Sequence, residues 1–368
     1  MKICIVLPSL LGGGAERLHI LLAAYWAQNG YEVDFILLQN QEEHGMLNSL
    51  VPHAANIQVL GCSRIRKAIF PLKNIFRKKQ YDIILSAMWP LTIITIFSNI
   101  LSRSPAKVVV SDHSNLSLAR TAELKVPNIV LRITIGIFYR LAYAIVCVSN
   151  GVAKNISFLG AISLKKISVI YNPVCNEGVR PNVSQSYDSL WKTSTKHRLL
   201  AVGSLKEQKN FSNLIKAFSL LDPSIQSVSE LKILGEGPLR NLLQHQISMQ
   251  GLEDKIELHG FELDPSPWFS SAHQFILSSS WEGFGNVLVE ALNHGLSIVS
   301  TNCESGPSEI LENGKHGLLV NVDDSHSLAK GIELALNTQH DKERLFQRSQ
   351  DFTVEKAGKA YISLFNTL

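Results

Sequence analysis

The sequence predicts an α/β protein built from two doubly wound, Rossmann-like domains. Short apolar runs alternate with stretches of helical periodicity. Several of these runs are continuously apolar, as expected of parallel strands that are buried on both faces. A polar stretch with weak periodicity, residues 176–196, divides the alternation into two similar halves. The length of 368 residues also exceeds what one hydrophobic core usually supports.

The first half contains six predicted strands with helices between them, as at Glu16–Gln28. The dipeptide Asn172-Pro173 then ends the pattern. The second half repeats it with six further strands and closes with a helix at about Thr353–Phe365. The predicted strands are Lys2–Leu7, Glu32–Leu38, Ile83–Ala87, Lys107–Ser111, Ala144–Val148 and Ile167–Ile170, then Arg198–Val202, Leu231–Leu234, Ile256–Leu258, Gln274–Leu277, Leu296–Ser300 and Gly317–Val320.

This order predicts a domain of residues 1–175, a second domain of residues 176–352, and a C-terminal helix in residues 353–368 that packs back towards the first domain. Doubly wound sheets bind ligands at the carboxyl ends of their strands. We therefore expect the ligand in a cleft between the two domains.

Two segments resemble membrane signals. Residues 1–11 look like a short signal peptide, but they run into three glycines without a small-residue cleavage site, so we interpret them as a buried strand. The uncharged run Ile83–Leu101 is nearly long enough to span a bilayer. Because it contains Pro90 and several polar side chains, we interpret it as a strand, a turn and a buried helix.

Charge and cysteine content narrow the functional class. The net charge is +4, but residues 1–178 carry 18 Lys and Arg against 9 Asp and Glu, whereas residues 179–368 carry 17 against 22. A basic half is compatible with nucleic acid, anionic lipid or a phosphorylated substrate, and no nucleic-acid motif is present. The five cysteines are scattered without metal-ligand spacing, which indicates a reducing, cytosolic compartment.

Two glycine-containing turns between a strand and a helix are candidate phosphate sites. The first, "LLGGGAERL", includes Gly13 and Gly14, and glycines there allow close backbone approach to an anion at a helix N-terminus. Its spacing matches neither the dinucleotide nor the P-loop pattern. In the second, "VGSLKEQKNF", Lys209 lies at a helix start, where a cation costs about 0.3–1 kcal/mol that an anionic ligand would offset. A plain turn and a solvated surface lysine remain the alternatives.

The stretch "SSWEGFGNVLVEALNHG" places two glutamates around a glycine turn. Glu282 follows a predicted strand closely, and the turn that includes Gly285 leads into a helix whose first amides would suit a diphosphate. Glu290 is a bidentate acceptor suited to two vicinal ribose hydroxyls. The alternative is a pair of acids that favour the helix dipole, but this explains the double-glycine turn poorly.

A fourth stretch, "VVVSDHSNLS", delivers Asp112 and His113 to the same edge of the first sheet. His113 could position an acceptor hydroxyl or relay its proton. The alternative is a strand-end turn or cap made by Asp112, Ser114 and Asn115.

Taken in order, these motifs resemble glycosyltransferase family 4, whose members have the GT-B fold of two Rossmann-like domains facing across a cleft. The resemblance covers nearly the whole chain. It is carried by "GGAER" (13–17), by an E-x7-E pattern within "EGFGNVLVEAL" (282–292), by "LGEGPLR" (234–240) and by "TNCESGPSEILENGKHGLLV" (301–320). Bacterial enzymes that build O-antigens, lipopolysaccharide, capsules or lipid-linked oligosaccharides are the most similar in pattern.

The resemblance implies a retaining hexosyltransferase that moves a sugar, an N-acetylhexosamine or a hexose, from a UDP-sugar to a lipid-linked or saccharide hydroxyl. It implies His113, Lys209 and Glu282 as catalytic residues. We expect the reaction to need no metal or other cofactor, because Lys209 and helix dipoles carry the positive charge. The family has Arg at the position of Ser204, and Lys206 is a candidate second cation there. The implied donor-binding residues are Gly13, Gly14, Ser204, Lys206, Lys209, Gly260, Phe261, Glu282, Gly285, Asn286, Val287, Leu288 and Glu290.

Other activities remain open. A nucleotide-sugar epimerase or a phosphorylase would share the two-domain plan, and a non-catalytic partner of another glycosyltransferase would keep the fold. The segments Ser63–Tyr81 and Pro127–Tyr143 mix basic and apolar residues, which favours docking on an anionic membrane surface over ordinary packing with snorkelling lysines. The expected location is the cytoplasmic face of the cell membrane, with a polyprenyl-diphosphate-linked acceptor nearby.

Overall fold

The computed structural model describes residues 1–10, 13–39, 50–53, 55–120, 125–181, 187–192 and 195–367. These residues separate into two compact units. The N-terminal unit comprises residues 1–174 together with the chain from Phe352 onward. The C-terminal unit comprises Cys175–Asp351.

The described part of the N-terminal unit contains a seven-stranded parallel sheet in the order β3-β2-β1-β4-β5-β6-β7. Helices connect most of the successive strands, as expected of a doubly wound sheet. The elements are β1 (Lys2–Leu7), α1 (Gly14–Gln28), β2 (Glu32–Leu37), β3 (Asn56–Val59), α2 (Ile69–Lys78), β4 (Ile83–Ala87), α3 (Leu91–Ser102), β5 (Lys107–Asp112), α4 (Leu116–Ala119), α5 (Asn128–Phe138), β6 (Ala144–Cys147), α6 (Asn150–Gly160) and β7 (Ile167–Val169).

The C-terminal unit repeats the plan with a parallel sheet that has six strands in its described part, in the order β10-β9-β8-β11-β12-β13. The elements are β8 (His197–Val202), α7 (Phe211–Ser219), α8 (Pro223–Gln226), β9 (Ser229–Leu234), α9 (Arg240–Met249), β10 (Ile256–Gly260), α10 (Ser266–Ser271), β11 (Gln274–Leu277), α11 (Asn286–Asn293), β12 (Ser297–Thr301), α12 (Pro307–Ile310), β13 (Leu318–Val320), α13 (Ser325–Leu336) and α14 (Lys342–Ser349).

Hydrophobic burial explains why these segments form these elements. The central strand β1 is buried from Ile3 to Leu7, and α1 buries Leu18, Leu22 and Trp26, which lie four residues apart on one face. The two-domain α/β prediction is therefore confirmed. Strand β3 was not predicted, because all four of its residues are exposed at the sheet edge and carry no apolar run.

The interpretation of residues 83–101 as a strand, a turn and a helix is correct, since β4 and α3 occupy this segment. Of the helices that the structure describes, none has the length and apolar character needed to cross a bilayer. The five cysteines are all buried free thiols.

The chain ends in α15 (Val354–Asn366), which lies in the N-terminal unit and packs on α1. The indole nitrogen of Trp26 donates to the carbonyl of Gly358 at 3.3 Å. A side chain at Gly358 would overlap the ring of Tyr25, so glycine lets the two helices approach closely.

Candidate active site

Lys209 and Glu282, which the sequence places 73 residues apart, form an ion pair in the C-terminal unit. Lys209 follows β8 and Glu282 follows β11, so both lie at the carboxyl edge of the sheet. The Lys209 Nζ atom is 2.6 Å from Glu282 Oε1. The lysine side chain is 16% exposed and the glutamate side chain 6%. This pair is the main feature of the candidate site.

The Glu282 carboxylate accepts further hydrogen bonds. The hydroxyl of Ser279 donates to Oε1 at 2.7 Å, and the side-chain amide of Gln208 donates to Oε2 at 3.4 Å. A buried carboxylate needs such partners to offset its loss of hydration. The sequence analysis did not predict Ser279 or Gln208, although both are polar residues beside the two predicted charges.

Backbone geometry fixes the lysine in place. A 3₁₀ turn, Glu207–Lys209, runs into Asn210, whose left-handed conformation (φ 47°) precedes α7. The side chain of Asn210 accepts from the Asn213 amide and caps that helix. The aliphatic stem of Lys209 lies against Gly203, where a Cβ atom would come within 3.0–3.2 Å of three of its carbons. Glycine at 203 thus leaves room for the lysine.

The glycine turn before α11 depends on a second backbone contact. Gly285 has φ 98° and precedes the first residue of the helix. Gly306 has φ 107°, and a Cβ atom there would lie 1.7 Å from the carbonyl oxygen of Phe284. The loop after β12 therefore supports the turn only because residue 306 has no side chain.

The N-terminus of α11 differs in one respect from the expectation. The amide of Leu288 donates to the carbonyl of Gly285 at 2.9 Å, so Leu288 does not offer a free amide. Asn286 and Val287 occupy the first two helical positions and are half-buried. Glu290 is half-buried two turns after Glu282. The positive end of the helix dipole remains beside the Lys209–Glu282 pair.

Asp323 takes part in a polar cluster beside the pair. Its Oδ1 atom accepts from the Asn210 side-chain amide at 2.6 Å and from the Ser280 hydroxyl at 3.0 Å. These bonds connect the loop after β13 to the loop that carries Lys209. Within the described ranges, no group of three or more His, Cys, Asp or Glu could hold a metal ion.

The remaining predicted residues of this unit are Ser204, Lys206, Gly260 and Phe261, and the carbonyl of Lys206 accepts from the backbone amide of Lys209 at 3.1 Å. Ser204 and Lys206 are exposed, and Lys206 forms no ion pair with any described residue. Gly260 has φ 113°, and its carbonyl accepts from the Gly235 amide at 2.6 Å. The neighbouring Phe261 is 43% exposed. Ser204 and Lys206 follow β8, and Gly260 and Phe261 lie at the end of β10, so all four residues are at the carboxyl edge of the sheet.

His113 lies in the N-terminal unit, as do Gly13 and Gly14 at the start of α1. The His113 Nε2 atom is 2.8 Å from the Ser111 hydroxyl, and its ring lies 5.2 Å from that of His19. Burial, with a smaller contribution from His19, keeps the pKa of His113 well below its ordinary value. His113 is therefore a neutral imidazole near pH 7.

Asp112, the last residue of β5, directly precedes His113 in the sequence and is fully buried. Tyr139 donates to its Oδ1 atom at 3.1 Å. Burial raises the pKa of Asp112 to about 7, although the tyrosine bond opposes this effect. The proposed strand-end cap is made by Asn115, which accepts from the Leu118 amide and begins α4.

Two family models match the chain, one on each unit. The model described as Glycosyltransferase Family 4 matches residues 12–177, and the model described as Glycosyl transferases group 1 matches residues 187–352. Together they account for more than half of the chain.

Curated relatives carry names of the same class. An N-acetylgalactosamine-N,N'-diacetylbacillosaminyl-diphospho-undecaprenol 4-alpha-N-acetylgalactosaminyltransferase of Campylobacter jejuni is 32% identical over 62% of this chain, which spans 60% of that relative's length. A second enzyme of that organism, an alpha-1,4-N-acetyl-D-galactosaminyltransferase that acts on a diphospho-undecaprenol-linked saccharide, is 25% identical and covers 99% of this chain and 98% of its own. The lipopolysaccharide core biosynthesis glycosyltransferase LpsE of Rhizobium meliloti is 29% identical over 62% of this chain and 65% of its own length.

Solved structures share the fold. HepE of Anabaena, crystallised with UDP and glucose, superposes with a TM-score of 0.81 at 19% identity and full coverage of both chains. Sucrose-phosphate synthase of Thermosynechococcus elongatus superposes with a TM-score of 0.80 at 16% identity, covering 100% of this chain and 98% of its own. At these identities the likeness establishes the fold alone.

Proposed function

The chain belongs to glycosyltransferase family 4 and has the GT-B fold, and from this premise we propose that it transfers a sugar from a UDP-sugar to a hydroxyl of a lipid-linked or saccharide acceptor. The names of the relatives support a role in assembling a surface polysaccharide, since they include diphospho-undecaprenol-linked and lipopolysaccharide core substrates. The two Campylobacter names favour an N-acetylhexosamine as the transferred sugar, and a hexose is the alternative that the family resemblance implies.

The observation that carries the proposal is the Lys209–Glu282 pair. An ammonium and a carboxylate meet at the carboxyl edge of a parallel sheet, where such folds bind nucleotides. The N-terminus of α11 begins only four residues after Glu282. A cation, a helix dipole and a carboxylate at one place suit a ligand that is anionic at its diphosphate and hydroxylated at its sugar.

In the proposed reaction, the acceptor oxygen bonds to the anomeric carbon while the bond from that carbon to the diphosphate breaks. The electron pair of this bond leaves with UDP, and the acceptor hydroxyl loses its proton. Lys209 and the first turn of α11 stabilise the negative charge that develops on the diphosphate. Glu282 holds hydroxyls of the sugar, Glu290 those of the ribose, and His113 the acceptor. We propose retention at the anomeric carbon on the strength of the family resemblance.

The proposed mechanism needs no divalent metal, because Lys209 and the helix dipole supply the positive charge. Ser204 occupies the position where the family has an arginine. A serine hydroxyl supplies neither the positive charge nor the paired hydrogen-bond donors of a guanidinium. Lys206 is exposed and forms no ion pair with any described residue, so its ammonium is available to a phosphate. We propose that Lys206 is the second cation of the site.

A product assay tests the function. The purified chain is incubated with a panel of UDP-sugars and undecaprenyl-diphosphate-linked saccharides, and the products are analysed by mass spectrometry. We expect one acceptor to gain the mass of a single sugar. Glu282→Gln is expected to abolish this product, whereas Glu253→Gln, which changes an exposed acid, should not.

The other activities give different products in the same assay. An epimerase would convert the UDP-sugar to an isomer without an acceptor, and a phosphorylase would depend on inorganic phosphate. A non-catalytic partner would give no product with any donor, while Glu282→Gln would leave glycan assembly intact in cells. Any of these results would contradict the proposed transfer reaction and support the corresponding alternative activity.

We also propose that the chain docks on an anionic membrane surface through the helices α2, α3, α5 and α6. The face of α5 at Ile129, Ile133 and Ile137 is 52–60% exposed, and these isoleucines lie four positions apart in the sequence. Phe158 of α6 is 67% exposed, and the guanidinium of Arg132 lies 5.9 Å from its ring. Such apolar patches on a monomer surface mark interaction sites.

The charge of this surface favours an anionic partner. From residue 83 to residue 176 the sequence holds nine Lys and Arg but only two acids, Asp112 and Glu123. Helix α2 adds Lys73, Arg77 and Lys78. Basic residues next to exposed apolar side chains bind anionic lipid by combining charge attraction with burial. A location at the cytoplasmic face of the cell membrane follows from this proposal.

Vesicle sedimentation tests the docking surface. We expect the chain to sediment with vesicles that contain phosphatidylglycerol and to remain in solution with phosphatidylcholine alone. The double variant Ile133→Ser/Ile137→Ser should lower the bound fraction several-fold. The matched variant Leu242→Ser/Leu334→Ser, which changes two leucines of similar exposure in the C-terminal unit, should not. Equal loss in both variants would contradict the assignment of this surface.

A further inference from the structure

The C-terminal helix places a buried hydroxyl next to the histidine of the N-terminal unit. Tyr361 of α15 is 2% exposed and makes an edge contact with the ring of Trp26. Its hydroxyl lies 3.2 Å from the Ser111 hydroxyl, 250 residues away in sequence. Ser111 is also 2.8 Å from His113 Nε2. Three side chains therefore form one hydrogen-bonded chain from the helix to the imidazole.

The order of donors in this chain follows from the chemistry of its members. A serine hydroxyl has one proton, so it donates to one neighbour and accepts from the other. The phenol of Tyr361 is the more acidic hydroxyl, and donation to Ser111 is its favoured role. Ser111 then donates its own proton to His113 Nε2. That nitrogen must be unprotonated, and the neutral ring carries its proton on Nδ1.

The Nδ1 atom of His113 is buried and has no hydrogen-bond partner within the described part of the chain. A buried polar group without a partner is destabilising, and native proteins retain few of them outside functional sites. The nearby ring of His19 uses its own Nδ1 on the carbonyl of Ala15 at 2.6 Å. Each imidazole disfavours a positive charge on the other, so His113 stays neutral. Its tautomer then determines which of its two nitrogens can donate a hydrogen bond.

We propose that Tyr361, acting through Ser111, holds His113 as the Nδ1–H tautomer, so that His113 donates a hydrogen bond to a substrate hydroxyl and does not act as its base. Tyr361 and Ser111 are positioning residues in this assignment. The inference rests on the proposed function for the substrate, but the tautomer itself is a property of the chain alone.

Nitrogen NMR of the full-length protein tests the assignment. The chain is labelled with ¹⁵N-histidine, and the His113 signals are identified by their loss in His113→Gln. We expect a protonated Nδ1 and an unprotonated, hydrogen-bonded Nε2 in the wild type. Tyr361→Phe keeps the ring and its packing, and it should shift the His113 Nε2 signal or mix the two tautomers. Ser111→Ala should do the same by removing the other hydroxyl.

A matched variant separates this effect from loss of packing. Tyr25→Phe removes one hydroxyl from a tyrosine that contacts the same helix at Gly358, and it should leave the His113 signals unchanged. In the transfer assay, Tyr361→Phe should lower kcat roughly tenfold, the scale of one hydrogen bond. The KM for the UDP-sugar should not change. Added to His113→Gln, the same substitution should have no further effect.

The results separate two kinds of failure. A protonated Nε2 on His113 in the wild type, or His113 signals that Tyr361→Phe leaves in place, would overturn the tautomer assignment. Absence of sugar transfer by the wild type to any acceptor of the product assay would instead overturn the proposed function, whatever the NMR shows.

Discussion

Lys209→Met removes the ammonium from the candidate site and keeps most of the side-chain volume. In the structure this ammonium is 2.6 Å from the Glu282 carboxylate, and its stem packs on Gly203. The variant therefore has two separate consequences. It takes away the cation that is proposed to stabilise the leaving diphosphate, and it leaves a buried carboxylate without its charged partner.

The two consequences differ in size. Loss of one stabiliser of developing charge lowers turnover by about 10²–10³, or roughly 3–4 kcal/mol. Removal of one partner from a buried ion pair costs about 3–5 kcal/mol of stability. We expect the lower end here, about 3 kcal/mol, because Glu282 keeps its bonds from Ser279 and Gln208.

The assay measures both quantities on the same preparation. Turnover is followed as UDP release with the donor and acceptor found in the product assay, and stability is measured by urea unfolding. The double variant Lys209→Met/Glu282→Leu replaces the pair with apolar side chains. It should regain most of the lost stability, since buried pairs are often replaced without cost, but it should remain inactive.

Lys216→Met is the control, because Lys216 is exposed on α7 of the same unit. It should change stability by less than about 0.5 kcal/mol and leave turnover at the wild-type value. If Lys209→Met turned over within threefold of the wild type, Lys209 would have no part in the mechanism. If the double variant stayed as unstable as the single one, the ion pair would not be the cause of the stability loss.

Three further predictions concern the metal, the turn and the buried acid. Activity should persist in EDTA, and complete loss that added Mg²⁺ or Mn²⁺ restores would contradict the metal-free mechanism. Gly306→Ala should destabilise the chain by at least about 3 kcal/mol in urea unfolding, because its Cβ atom would overlap the Phe284 carbonyl, whereas Gly314→Ala, also at positive φ but with 3.7 Å of clearance, should lose only about 1 kcal/mol. Asp112 keeps a proton in the folded state up to about pH 7 that the unfolded chain releases near pH 4, so its own contribution to stability should fall as the pH rises from about 4 to about 7, whereas the lowered pKa values of His19 and His113 act in the opposite direction. Asp112→Asn cannot ionise, so its stability relative to the wild type should rise by on the order of 4 kcal/mol between about pH 4 and about pH 7, and a stability difference that stays constant over that range would contradict the raised pKa.

The candidate site was predictable where its residues lie in local motifs. Glu282, the glycine turn and the start of α11 fall within one stretch of the chain, and a strand followed by a glycine and a helix is visible in the letters alone. The partners Ser279, Gln208 and Asp323 were not predicted, because single polar residues near a turn are common. Their roles depend on loops from β8, β11 and β13 meeting at one edge of the sheet.

The sequence by itself determined the fold class and nearly all of the strands, because continuous apolar runs and helical periodicity record burial along the local chain. It did not reveal β3, because the residues of this strand are exposed and form no apolar run. Only the tertiary structure decided which charges meet. Lys209 bonds Glu282 across 73 residues, and Tyr361 reaches Ser111 across 250. Such contacts depend on how strands are ordered in a sheet and where a distant helix packs, and no local pattern of residues encodes that order.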